Sequence, residues 1–124
     1  MATQNAVGEY IYKGVYRYTV SGLGSADVSS PMDVGNATER TIQVQGVFTN
    51  AVCAVQGRTA TDANWAPVNT PSGVAITFTS TTSSIVKIQE HVMQVRTVNT
   101  TTVSVASDAL TTNLKVTLTL RSDR

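Results

Sequence analysis

Ile42-Gln-Val-Gln-Gly46-Val-Phe48-Thr-Asn50-Ala-Val-Cys53-Ala-Val-Gln-Gly57-Arg-Thr-Ala-Thr-Asp62-Ala-Asn-Trp65 is the stretch on which the reading of this chain turns. Two strand-like runs flank a short polar turn at Thr49-Asn50. A polar loop then ends on the single tryptophan. Ile42, Val44 and Phe48 fall on one face of an extended strand, with Gly46 between them. That alternation predicts one buried face and one wet face. Trp65 is the largest apolar group in the chain, and it is expected to plug one end of the core beside Phe48 and Phe78.

The remaining composition agrees with strands. Only 14% of residues are charged and 6% aromatic, while twenty are threonine. Thr and Val suit a pleated, half-buried surface and lose rotamer freedom in a helix. A chain of 124 residues is one domain on ordinary priors and needs no disulfide or metal to fold. The net charge of +1 is spread singly, without a basic run, so nucleic acid is not an expected partner. No run of about 18 apolar residues exists to span a membrane. The first residues lack a charged segment followed by an apolar one, so no secretory signal is expected and synthesis is placed in a cytoplasm.

Outward from that stretch, residues 1–8 read as a mobile arm. Residues 9–20 read as one long strand with Tyr10, Tyr12, Tyr16 and Tyr18 on one face. The tyrosines either cover the sandwich or form a contact stripe for a partner subunit, a role Tyr favours. Gly14 would mark a bulge or a close backbone approach. Residues 21–38, rich in Gly and Ser with Pro31, read as a long connection, either functional or laid over a neighbour, with Met32 and Val34 as its anchors and Met32 a further interface candidate. Residues 39–124 read as the sandwich proper. Within them, 74–80 carry Val74, Ile76 and Phe78 inward. Further strands are expected over 84–90, 92–98 and 101–107. Residues 113–121 alternate most cleanly, with Leu114, Val116, Leu118 and Leu120 inward. Seven or eight short strands at this spacing predict an all-β, antiparallel β-sandwich with an extended N-terminal arm.

No catalytic set emerges, and the chain is expected not to be an enzyme and to need no cofactor. His91 is the single histidine, no nucleophile elbow is present, and Glu90 and His91 would point to opposite faces of a strand. The eight acids are scattered. Cys53 lies in an apolar run and reads as a small buried hydrophobe; one Cys and one His do not make a zinc site. Asp62-x-Asn64 is a fragment of a calcium loop without its later carboxylate, so no metal is expected. Trp65 beside Asp62, Asn64 and Asn69 could serve as a sugar platform, against the plainer role of capping the core.

The order of short motifs from 44 to 121 resembles a group of small tailed-bacteriophage virion proteins. Gly46-Val-Phe48 leads to Val55-Gln-Gly57, then Asp62-Ala-Asn-Trp65 and Pro67-Val68. Gly73, Ile76-Thr-Phe78, Glu90, Val95-Arg96 and Leu118-Thr-Leu-Arg121 follow. The group's turn glycine before Asn-Trp is Ala63 here, and its aromatic before the later Arg is replaced by Met93-Gln-Val95.

This resemblance implies a decoration or cement protein on the surface of a phage head, within the virion. Its implied partners are the major capsid protein of the shell and copies of itself, as a trimer or a dimer. A tail or neck protein, and a carbohydrate-binding module on the Trp65 loop, are the alternatives. On the capsid reading, deleting residues 1–20 is expected to abolish shell binding while the sandwich still folds.

Overall fold

The computed structural model describes residues 3–24, 26–35, 37–47, 51–79, 84–101 and 113–122. Phe48 and the strand expected over 101–107 therefore lie outside the described residues, apart from Thr101. The architecture is all-β, with two mostly antiparallel sheets facing each other as a sandwich. No helix among the described residues is long and apolar enough to cross a membrane.

The strands in chain order are β1 (Thr3–Gln4), β2 (Val7–Tyr12), β3 (Val15–Leu23), β4 (Val28–Ser29), β5 (Met32–Asp33) and β6 (Glu39–Val47). They continue with β7 (Ala51–Arg58), β8 (Ala66–Pro67), β9 (Thr77–Phe78), β10 (Ser84–Lys87), β11 (Gln94–Thr101) and β12 (Asn113–Arg121). One sheet runs β10-β6-β12-β3-β2. The other is built on the long pair β7–β11. The short strands β4 and β5 lie against β11, β8 and β9 lie against β7, and β1 pairs in parallel with β4.

The two strand runs of the Ile42–Trp65 stretch are β6 and β7, and they do not pair. β6 lies in the five-stranded sheet and β7 in the other. Each contributes its inward side chains to a shared core. Ile42 and Val44 belong to one buried cluster with Cys53 and Val55 and with Leu114, Val116, Leu118 and Leu120 from β12. β12 is the most regular strand, registered along its whole length on β6 and over most of it on β3. Its period-two pattern buries every even residue from Leu114 to Leu120, as the sequence predicts.

The N-terminal third departs from the sequence reading. Residues 9–20 are not one strand but the hairpin β2–β3. It turns at Lys13–Gly14, where Gly14 takes φ 79°, a backbone state that costs glycine little. Residues 7–23 thus supply two of five strands in a sheet, and they are no appendage. Deleting residues 1–20 would remove β1, β2 and most of β3, so that experiment cannot separate binding from folding. Nor is 21–38 a connection outside the core. Leu23, Met32, Val34 and Ala37 are all buried in it. Short apolar residues isolated among Ser and Gly carry no periodicity, so the sequence did not reveal them as core.

Elsewhere the strand at 74–80 shrinks to Thr77–Phe78. Ile76 and Phe78 are buried, whereas Val74 is 62% exposed, beyond the paired segment.

Candidate functional site

The sequence contains Gln-x-Arg twice, as Gln56-Gly-Arg58 and Gln94-Val-Arg96. Both copies lie on strands whose odd-numbered residues (Val55, Gly57, Val95, Thr97) are buried, so the Gln and Arg side chains share the outer face. β7 and β11 run antiparallel with Gln94 opposite Arg58 and Arg96 opposite Gln56. Each arginine therefore faces a glutamine across the ladder. Arg58 Nε donates to Gln94 Oε1 at 2.8 Å, and Arg96 Nε donates to Gln56 Oε1 at 2.9 Å.

β8 completes the arrangement. It pairs Ala66 with Gly57 and Pro67 with Gln56, so Trp65 comes next to Arg58 by continuation of the register. The guanidinium carbon of Arg58 lies 4.3 Å from the Trp65 ring centroid, and that of Arg96 lies 4.5 Å from it. At the opposite end of the row Gln94 Nε2 donates to Asp33 Oδ1 at 2.7 Å, and Asp33 is paired with Gln94 in the ladder. Trp65, Arg58, Gln94 and Asp33 thus form a continuous polar row across the outer face, with Arg96 and Gln56 in the row beside it.

All members of this pad except Asp33 are half-buried, and Asp33 is exposed. Burial, with the Arg58 charge next to it, holds the Arg96 pKa below the ordinary arginine value. Among the described residues the ion pairs are Arg17–Glu9 and Arg121–Glu39. Neither pad arginine has a carboxylate partner there.

The expectation that Trp65 plugs the core is therefore corrected. Its ring is outside the core cluster and stacks with two cations on the opposite face of the sheet. Periodicity could not reveal this, because a two-residue edge strand positions it. The sugar-platform residues are likewise dispersed in their bonding. Asp62 and Asn64 are exposed, and Asn69 is held by Glu90, whose carboxylate accepts from the Asn69 backbone N–H and from its Nδ2, each at 2.7 Å. The backbone N–H of Asn69 is the main reason the Glu90 carboxyl titrates below its ordinary range.

The tyrosines divide. Tyr16 and Tyr18 point to the inner side of β3 with Val20, and their rings meet edge-on at 5.2 Å. Tyr18 packs on the core, and burial raises its pKa above the ordinary value. Tyr10 faces Tyr16 across the hairpin and, at 67% exposure, stands at its open edge. Tyr10 and Tyr16 line a shallow cavity of about 260 Å³ with Val34, Ala37 and Leu120 at one end of the sandwich. Tyr12 lies beyond a bulge and is also exposed. Met32 is fully buried, so it anchors its segment and cannot be a surface contact. Phe78 is in the core. His91 is exposed beside Val92 and Met93, and Cys53 is buried, its thiol pushed up to about 12 by burial.

No protein-family model matches this chain, and no curated protein does. Among solved structures it is similar to an SPBc2 prophage-derived protein, YomS. That likeness has a TM-score of 0.63 at 11% identity and covers 92% of this chain and 100% of that one. It supports the two-sheet fold. Peruvianin-I, a cysteine peptidase from Thevetia peruviana latex, matches with a TM-score of 0.40 at 12% identity, over 90% of this chain and 52% of that one. CENP-C of Drosophila melanogaster bound to CAL1 matches at 0.36 and 8%, over 94% and 81%.

Proposed function

We propose that this chain is a phage virion structural protein, a decoration or cement protein that acts by binding the outside of an assembled head. The observation that carries the reading is the end-to-end fold likeness to a prophage-derived protein, which accounts for all of that chain and nearly all of this one. The motif order from Gly46 to Arg121, which resembles small tailed-phage virion proteins, points the same way. So does a rigid sandwich whose outer face carries arginine and tryptophan, two residue types over-represented at energetically dominant interface positions. Repeated sites on a shell would multiply a modest contact into stable attachment when the decorator is itself oligomeric.

The test is to purify particles from cells producing the phage, separate heads from tails, and quantify this chain in each by mass spectrometry. The expected result is a fixed, high copy number on heads. Its absence from particles overturns the reading. Recovery with tails alone replaces it with the tail or neck role.

A further inference from the structure

We propose that the pad formed by Arg58, Trp65 and Arg96 is a docking point for a carboxylate-bearing segment of a partner protein. This assignment rests on the pad's chemistry and holds whichever particle or complex supplies the partner.

Two cations converge on one indole ring, at 4.3 and 4.5 Å, and neither is in an ion pair among the described residues. Each guanidinium is bound through Nε to a glutamine carbonyl, at 2.8 and 2.9 Å. That fixes the plane of the fork. The Nη atoms of both arginines have no hydrogen-bond partner among the described residues. A planar guanidinium held at Nε, with its Nη atoms open, is oriented to bind an anion in advance of the encounter. Carboxylates take such groups in short, charge-assisted bonds. The ring stiffens the pair, and it shields them from water on the side it covers.

The repulsion between two neighbouring cations is a standing cost in the free protein, and an anion placed between them relieves it. Burial first, and the Arg58 charge second, lowers the Arg96 pKa. Charge complementarity therefore calls for an anionic occupant. A nucleic acid backbone would be the other anionic source. It requires a field of phosphate contacts, whereas the chain carries a net charge of +1 with no basic run. Two adjacent forks on a flat face match one or two side-chain carboxylates.

Trp65 is the chain's single tryptophan, so it reports on its own surroundings. The experiment titrates the full chain with a hexaglutamate peptide at low salt while following Trp65 fluorescence and its indole N–H resonance. Hexalysine and an oligothymidylate are run in parallel. A saturable response to hexaglutamate is expected, weakened by salt and absent with hexalysine. Arg96→Gln is expected to weaken it by about tenfold or more, the loss of a hydrogen bond to a charged group. Arg96→Lys, which keeps the charge and loses the fork, is expected to fall between. Arg17→Gln, on the other sheet, is expected to leave the response unchanged. Circular dichroism confirms that each variant is folded. No response to hexaglutamate, a response that Arg96→Gln leaves intact, or tighter binding of oligothymidylate overturns the proposal. Presence or absence on phage heads has no bearing on this titration, so the two readings fail independently.

Discussion

Arg40 and Ile88 bind each other twice. The Ile88 N–H donates to the Arg40 carbonyl at 2.9 Å, and Arg40 Nη2 donates to the Ile88 carbonyl at 3.2 Å. The same guanidinium reaches the carbonyls of Ala37 and Gln89, both at 3.1 Å. Arg40 is buried and joins no ion pair among the described residues, so it acts as a staple for backbone carbonyls at one end of the sandwich. Replacing it by Met keeps the bulk and strips those carbonyls of a donor. Arg40→Met is expected to cost about 1–3 kcal/mol in urea unfolding. Faster hydrogen exchange at Ile88 is expected to accompany it.

Trp65→Ala distinguishes a surface ring from a core plug. The lost stacking with two half-exposed cations amounts to about 1–2 kcal/mol. Removing a core tryptophan costs about 3–5 kcal/mol. Denaturant unfolding of the variant is expected to give the smaller value with a folded spectrum.

Glu90 makes stability depend on pH in a definite direction. Its folded pKa is depressed, chiefly by the Asn69 backbone N–H, so below neutrality the unfolded chain takes up a proton more readily than the native one. Its contribution is fully present above the unfolded carboxyl pKa of about 4.3 and is lost as pH falls through the lower folded value. Glu90→Gln is expected to be destabilised near neutrality. It is also expected to lose less stability than the parent between neutral and acid pH, as read by urea melts at both. Equal acid slopes for the two proteins would count against the clamp.

Cys53 is buried between β9 and β11, opposite Phe78 and Asn99, and its pKa near 12 leaves almost no thiolate. Labelling by a thiol-specific reagent is expected to proceed only at the rate of opening. It is expected to accelerate in step with added urea, and rapid labelling of the native protein would contradict the packing.

Gly57 has room for hydrogen alone. A methyl group there would lie 2.8 Å from Val68 Cγ1 and 2.9 Å from Val92 Cγ2, both on stiff, branched side chains. Gly57→Ala is expected to destabilise by about 1–3 kcal/mol in denaturant titration.

The legible parts of this chain were those where one strand carries its own pattern. Residues 113–121 alternate without interruption, and Ile42, Val44, Ile76 and Phe78 follow the same rule, so the all-β class and much of the core were readable. Tertiary pairing decided the remainder. The β2–β3 hairpin hides in an unbroken tyrosine pattern because its turn is only two residues, Lys13 and the permissive Gly14. Met32 and Val34 are core residues in a segment whose composition resembles a loop. Of the pad, sequence reasoning found Trp65 and gave it the wrong neighbours. The repeated Gln-x-Arg was the available signal, since two such strands laid antiparallel set each arginine against the other's glutamine. Arg40 left no signal, because a buried arginine bonded to carbonyls has no fixed sequence partner.

The placement of β12 has a consequence for how the molecule is made. It is the last of the described strands to be synthesised, yet β6 and β3 both wait for it as their shared neighbour. A nascent chain on the ribosome therefore leaves the pairs β10–β6 and β3–β2 without their shared neighbour until residues 113–121 emerge. The five-stranded sheet is therefore closed only after translation has passed that point, whereas the sheet that carries the pad does not include β12.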